Sequence, residues 1–277
     1  MARLLLSATV CVALLLLCVD GQALFARQLT GGKTRKRSQL GRSFDNIQRT
    51  PLEELLTRDQ LKAGIPTKVN WATRGFVSPP YNIGDCGADA QVAAAKNIEG
   101  IAAVQNNRLV PDSPQELVDC ACGCDGCFMH QPYDWLLNNT NGKIATNASW
   151  PWTGEEGTCT NIHGRQAAAQ IVSMHHIPPT EHSLQQVVAH VGPVAVAINA
   201  MPLEEYIGGV LSDCAPSPID SAVTVVGYNM EASPPYWIIQ NAWGPYWGLG
   251  GYAYLSFGNN TCGIATDPVT ARLAGSN

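Results

Sequence analysis

Asn82-Ile-Gly-Asp-Cys-Gly-Ala-Asp89, running on into Ala90-Gln-Val-Ala-Ala-Ala-Lys-Asn-Ile-Glu-Gly100, is the stretch on which the fold turns. Gly84 and Gly87 punctuate the chain, and the Ala-, Gln-, Lys- and Glu-rich residues after them favour a helix over Asp89–Gln105. Downstream, helical signals continue to about residue 140, with a shorter helix over Gln131–Asn139. Ser183 and Gln186 make a capping box for a helix that stops at Gly192-Pro193. Upstream, Thr50, Pro51 and Glu53 open a short helix that Gly64 and Pro66 end. The second half reads as strands: Val194–Asn199, Ala222–Tyr228, Tyr236–Gln240 and Gly251–Phe257, bounded by Gly, Pro and Asn. A helical part followed by a sheet part predicts an α+β protein with two lobes and no internal repeat.

Composition narrows the classes. Of 277 residues, 45% are apolar and only 14% charged, the balance of a packed globular chain. Residues 1–66 hold 10 Lys/Arg against 5 Asp/Glu, and residues 67–277 hold 7 against 17. An acidic body of this kind argues against nucleic acid, whose phosphates need a basic surface. Arg3 followed by the apolar run Leu4–Val19 and small residues at Gly21 and Ala23 has the layout of a secretory leader over 1–23. No later stretch is long and apolar enough to predict a transmembrane anchor. The basic run Lys33-Thr-Arg-Lys-Arg37 reads either as a processing site or as a solvated tail.

Outside the leader there are eight cysteines: Cys86, Cys120, Cys122, Cys124, Cys127, Cys159, Cys214 and Cys262. In an exported chain they predict a disulfide framework. Zinc is the alternative for the cluster at 120–127, but a structural zinc site normally has a second Cys/His pair further on, and none is obvious here. No metal and no cofactor is expected. Asn138, Asn147 and Asn259 are glycosylation acceptors by pattern.

Three segments, in order, resemble the papain family of cysteine peptidases. Asn82–Asp89 resembles Asn-Gln-Gly-x-Cys-Gly-Ser-Cys, which leads into the nucleophile-bearing helix. Ile219-Asp-Ser-Ala-Val-Thr-Val-Val-Gly-Tyr-Asn229 resembles the strand that carries the catalytic histidine. Tyr236-Trp-Ile-Ile-Gln-Asn-Ala-Trp-Gly244 resembles the segment that orients it. Asn97-Ile-Glu-Gly100, Ser113-Pro-Gln-Glu-Leu-Val-Asp-Cys120 and Gly192-Pro-Val-Ala-Val-Ala-Ile-Asn-Ala200 support the match, which covers roughly 66–272. The wording is closest to the cathepsin L-like enzymes of trypanosomatid parasites, notably in Gly208-Gly-Val-Leu and Val225-Val-Gly-Tyr-Asn229. The resemblance implies a papain-like two-lobe fold, a helical lobe at about 76–175 and an antiparallel, β-barrel-like lobe at about 176–277, with a cleft between them. It also implies a domain over 66–277 after a short pro-like segment at 24–65, and the pairs Cys86–Cys124, Cys120–Cys159 and Cys214–Cys262. Cys122 and Cys127 are left as a fourth bridge or as free thiols.

A papain-type peptidase needs a thiolate nucleophile and an imidazole to hold it and protonate the leaving amine. An Asn orients the imidazole and an amide donor stabilises the oxyanion. By the resemblance, the nucleophile position here is Asp89, the histidine position Ser221 and the oxyanion position Ile83, while Asn241 and Trp243 are retained. The sequence therefore predicts a pseudopeptidase. Asp89 reads as a helix-start carboxylate; the sharper alternative pairs it with Asp220 as two carboxylates that activate water. The resemblance also implies an apolar subsite at Gly126, Cys127, Phe128, Met129, Ala200 and Ile219, with Asp267 at its floor, although ordinary core packing explains such residues too. An acidic floor would favour a basic side chain, and Cys127, standing where the family has glycine, would obstruct strand-like docking of a peptide. The long inhibitory propeptide of the family has no counterpart in 24–65. The expected function is peptide or protein binding without cleavage by a monomer in a lysosome-like compartment or outside the cell. The rivals are residual hydrolysis and a purely structural or antigenic role.

Overall fold

The computed structural model describes Phe44 and residues 47–275. The predicted leader and the basic run at 33–37 lie outside the described residues. Two short helices, α1 (Leu52–Leu55) and α2 (Arg58–Lys62), precede strand β1 (Lys68–Asn70). Then come the long helix α3 (Asp89–Asn106), α4 (Pro114–Leu117) running into a π turn at Val118–Cys122, and α5 (Gln131–Asn139). Next are β2 (Lys143–Ala145), β3 (Ala167–His176), α6 (Glu181–His190) and β4 (Val194–Ile198). The chain closes with β5 (Val210–Leu211), β6 (Ser221–Asn229), β7 (Tyr236–Gln240), β8 (Tyr252–Ser256) and β9 (Pro268–Leu273).

The nine strands form one open sheet in the order β2-β3-β9-β4-β6-β7-β8-β5, with β1 added on β6. Every described pairing is antiparallel except β5 with β8. Strand β3, within the stretch expected to be helical up to about 175, joins the sheet. Ala167-Ala-Ala-Gln-Ile looks helical by propensity, yet β3 pairs with both β2 and β9, and that pairing overrides local preference.

Two predicted helix starts also move. Thr50 caps no helix: its N–H donates to the His176 carbonyl at 2.8 Å, and its hydroxyl lies 3.1 Å from His175 Nδ1. Thr57 and Gln60 instead form the capping box, at α2. At α6 the cap is Thr180, whose side chain accepts from Ser183 N–H, rather than Ser183 itself.

Helix α3 is buried on nearly every face, from Asp89 to Ile101. Its alanines allow that close approach, and Gly100 is required: a Cβ there would stand 2.4 Å from Pro193 Cγ. Asn97 next to it donates to the Pro193 carbonyl at 2.8 Å and accepts from Ala271 N–H and the Tyr133 hydroxyl, both at 3.0 Å. One apolar cluster, including Ile98, Leu117, Tyr133 and Ile171, packs around this helix. A second, including Val196, Val225, Tyr228, Trp237 and Leu255, fills the other side of the sheet.

Lys96, on the same helix, is 1% exposed. Its ammonium donates to the Ser78 hydroxyl, to the carbonyls of Ser78 (2.9 Å) and Pro79 (3.1 Å), and to Glu99 Oε1 at 3.5 Å. Glu99 in turn accepts from the Ser78 N–H (2.8 Å) and hydroxyl (2.9 Å) and from Asp112 N–H. Gln240 at the end of β7 donates to the same Ser78 carbonyl at 2.9 Å, which ties helix, crossing segment and sheet at one point. Burial pushes the Asp112 carboxyl well above its usual range, with the Glu99 charge adding to the effect and Lys96 opposing it. Replacing Lys96 with Met leaves Glu99 buried without its cation. The expected loss is about 3–5 kcal/mol in urea unfolding, and Asp112→Asn in that background is expected to recover part of it.

Candidate functional site

The start of α3 and the start of β6 meet where the helical half abuts the sheet. Asp89 (6% exposed) opens α3, and its Oδ2 accepts the Ala222 N–H at 2.9 Å across 133 residues of chain. Its other oxygen, Oδ1, is buried without a hydrogen bond of good geometry. Ser221 (8% exposed) is the first residue of β6, in register with Ile198 of β4. Burial raises the Asp89 carboxyl to about 6, while the Ser221 hydroxyl and the backbone N–H groups of Ala222, Ala90 and Asp89 pull it back down. Asp89 and Ser221 are thus brought together. Asp220 is not part of that contact: its Oδ1 accepts the Ala200 N–H at 2.8 Å, which gives no support to a shared-proton carboxylate pair.

Asn241 follows β7 and is 2% exposed. Its Oδ1 accepts the N–H of Ala242 at 2.8 Å, and its Nδ2 has no partner. Trp243 stacks edge-on to Trp247 at 5.3 Å and bridges to Asn82 through the backbone. Ile83 is 4% exposed and packs with Cys86, Ala88, Val92 and Ala242. It offers the site an apolar side chain where an amide donor would be polar. Its backbone N–H is committed to the Ala242 carbonyl at 3.0 Å.

The predicted subsite divides. Phe128 and Ile219 pack with Ala197 in a small apolar cluster, and Phe44, from the segment before α1, packs into the same cluster. Met129 (1% exposed) belongs instead to the core around α3, and Ala200 (5%) to the core of the sheet, so neither lines an open surface. Cys127 is buried in a disulfide with Cys122, and Gly126 beside it has the left-handed φ of 81°. Asp267 is 3% exposed but is no free floor. Arg49 Nη1 binds its Oδ1 at 2.6 Å, and His176 Nδ1 reaches the same oxygen at 2.8 Å. Arg49 also donates to the Thr266 carbonyl at 3.2 Å. The expectation that an acidic floor awaits a ligand's basic side chain is corrected accordingly: the chain supplies its own guanidinium. Phe44, Arg49 and His176 were not among the predicted site residues. A Phe and an Arg in a polar stretch carry no periodic signal, and only the tertiary fold brings them to Ile219 and Asp267.

Disulfides join Cys86 to Cys124, Cys120 to Cys159, Cys214 to Cys262 and Cys122 to Cys127. All eight cysteines are thereby used, which removes the thiolates that a zinc site would need. His130 stacks on Phe128, His175 and His176 sit on β3, and His182 and His190 sit on α6, whereas Ser221 opens β6. No described helix is long and apolar enough to cross a membrane.

Residues 65–272 match the sequence model of the papain family cysteine proteases. Cysteine proteinase A of Leishmania mexicana is 37% identical over 225 residues, covering 80% of this chain and 63% of that protein. Cysteine proteinase 1 of Dictyostelium discoideum is 36% identical over 226 residues, 75% of this chain and 65% of the relative. The chain thus spans just under two thirds of the length of these relatives. Among solved structures, digestive procathepsin L 3 of Tenebrio molitor larval midgut superposes with a TM-score of 0.73 at 28% identity, covering 91% of this chain and 79% of that one.

The strap from Phe44 through α2 is held at several points, with Arg49 on Asp267, Thr50 on His176, Arg272 on the Glu54 carbonyl and Gln60 on the His190 carbonyl. Arg49→Ala leaves Asp267 with His176 alone. It is expected to cost about 1–3 kcal/mol and to speed proteolytic nicking between residues 44 and 62, read by mass spectrometry of timed digests.

Proposed function

The chain belongs to the papain family of cysteine proteases, and we propose that it binds peptide segments on that scaffold without cutting them. The observation that carries this reading is the contact between Asp89 and β6. Where covalent peptide cleavage requires a thiolate facing an imidazole, a buried carboxyl faces a serine hydroxyl and is bonded to Ala222 N–H. A carboxyl committed to that bond has no base beside it to activate it, and Ser221 has no histidine to accept its proton. Ile83 supports the same reading, because an apolar side chain donates nothing to an oxyanion. Asn241 Nδ2, buried and unpartnered, fits a residue whose aromatic partner is gone.

Binding, on this proposal, uses the apolar surface of Phe128 and Ile219, which Phe44 now covers from within the chain. The protein acts as a monomer after export to a lysosome-like compartment or the extracellular space, the route suggested by the leader-like residues 1–23 and by the disulfides. Of the three glycosylation acceptors, Asn138 and Asn259 are exposed, whereas Asn147 is half-buried. Glycans are proposed at the first two.

Purified protein incubated with a diverse peptide library at mildly acidic and at neutral pH is expected to retain a subset of peptides and cleave none. Reproducible cleavage that disappears in Asp89→Ala would overturn the proposal. As a complementary measurement, Asp89→Cys, Ser221→His and Ile83→Gln combined are expected to give thiol-dependent hydrolysis at least ~10-fold above the parent protein and labelling by an epoxide-type inhibitor. Phe44→Ala is expected to raise retention of peptides bearing large apolar side chains.

A further inference from the structure

Four bridges tie this chain, and one of them differs from the rest. Cys86–Cys124, Cys120–Cys159 and Cys214–Cys262 span 38, 39 and 48 residues of sequence, whereas Cys122–Cys127 spans 5. The family resemblance implies the first three and not the fourth. A long bridge removes much of the unfolded chain's freedom and a short one little, so opening Cys122–Cys127 weakens the fold least. The loop it closes stays anchored when it opens. Cys120 and Cys124 hold that loop to Cys159 and Cys86. Gln91 Nε2 donates to the Gly123 carbonyl at 2.8 Å, and Glu156 accepts the Cys124 N–H at 3.0 Å.

Cys127 directly precedes Phe128, which packs with Ile219, Ala197 and Phe44. On its C-terminal side Phe128 is secured by α5. Its N–H donates to Gln131 Oε1 at 2.7 Å, and its carbonyl accepts the Gln131 N–H at 3.0 Å. On its N-terminal side the chain arrives through Gly126, at a left-handed φ of 81°, and the bridge pins the residue between them. Cys127 is buried among the apolar side chains around α3, while Cys122 is half-buried at the end of the π turn. Of the pair, Cys122 is the more open to a small thiol; in Cys214–Cys262 both partners are buried.

We propose that Cys122–Cys127 is a thiol-operated gate. Oxidised, it holds Phe128 in place; opened in the folded protein by a low-molecular-weight thiol, it frees that surface. One small thiolate attacks Cys122 Sγ, forming a mixed disulfide and expelling Cys127 as a thiolate. Burial disfavours that charge, so Cys127 takes up a proton. A second small thiolate attacks the small-molecule sulfur of the mixed disulfide, and Cys122 leaves and is protonated. The bridge gains two electrons, and the two small thiols are oxidised to one disulfide. A Phe128 held in place favours binding, because less freedom is lost when a ligand arrives. The effect on peptides rests on the binding role proposed above; the opening of the bridge does not.

The experiment exposes the intact protein to graded L-cysteine at neutral pH, traps free thiols with N-ethylmaleimide and maps them by mass spectrometry. Half-labelling of Cys122 and Cys127 is expected at L-cysteine concentrations at least ~10-fold below those for Cys214 and Cys262, with cooperative thermal unfolding retained. Hydrogen exchange at the Phe128 and Gln131 amides is expected to speed up about 10-fold on opening, while exchange at Ala222 stays unchanged. Cys122→Ser combined with Cys127→Ser is expected to show the faster exchange without thiol and no further response to it. Labelling of Cys122 and Cys127 only as the fold is lost, or unchanged exchange at Phe128 once they are labelled, overturns the gate. So does a thiol response that persists in the double variant, which assigns it to Cys120–Cys159. If that variant does not fold, labelling and exchange of the unsubstituted protein still decide the matter. Peptides retained by the oxidised protein are expected to be released on opening. No retention by either form, with exchange responding as expected, supports the gate and refutes the binding role.

Discussion

One buried ammonium organises the middle of this molecule. Lys96 sits on a helix with almost no solvent-facing side, and its charge is compensated by Glu99 and by the Ser78 and Pro79 carbonyls. Because Gln240 also donates to Ser78, the same carbonyl fixes the end of β7 relative to α3. That is the point from which both Asp89, seven residues back along the helix, and Asn241, one residue beyond β7, take their positions. A salt bridge of this kind adds little net stability over an apolar replacement of equal shape, but breaking one side of it is costly. Its effect is to specify one arrangement of helix, crossing segment and sheet.

Around that fixed point the seam is unusually dry. Asp89, Ser221 and Ile83 are all buried, and the polar atoms among them are only partly satisfied. A cleft built for covalent peptide cleavage needs its reactive groups accessible to substrate. Here Asp89, Ser221 and Ile83 bring together a carboxyl bonded to backbone, a short hydroxyl and an aliphatic side chain. The scaffold tolerates this because its stability comes from elsewhere: the two apolar clusters, the four disulfides and the nine-stranded sheet. Chemistry at the seam and the cohesion of the fold are therefore largely separable.

The strap before β1 packs against a small apolar cluster next to this seam. Phe44 packs with Phe128 and Ile219, and Arg49 pairs with the buried Asp267. His176 shares that acid, so β3, β9 and the strap are joined at a single carboxylate oxygen.

Much of this was legible in the residues. Ordered motifs at 82–89, 219–229 and 236–244 carry enough joint specificity to identify the family, and the resemblance implies positions for Asp89, Ser221, Ile83 and Asn241. Helix limits followed from local propensity at Asp89 and Gln131, but not where competing partners lay far away in sequence. Thr50 has the chemistry of a cap yet bonds to β3, and Ala167–Gln170 has the propensity of a helix yet pairs as a strand. Met129 and Ala200 fit an apolar lining by type, and burial alone separates core from surface. By itself the sequence determined which chemical groups the site contains, because side-chain identity and order are local facts. Only the tertiary structure decided that Cys122 meets Cys127, that Arg49 meets Asp267 and that Asp89 is sealed against β6. Each depends on distances and desolvation between residues that the chain keeps apart until it folds.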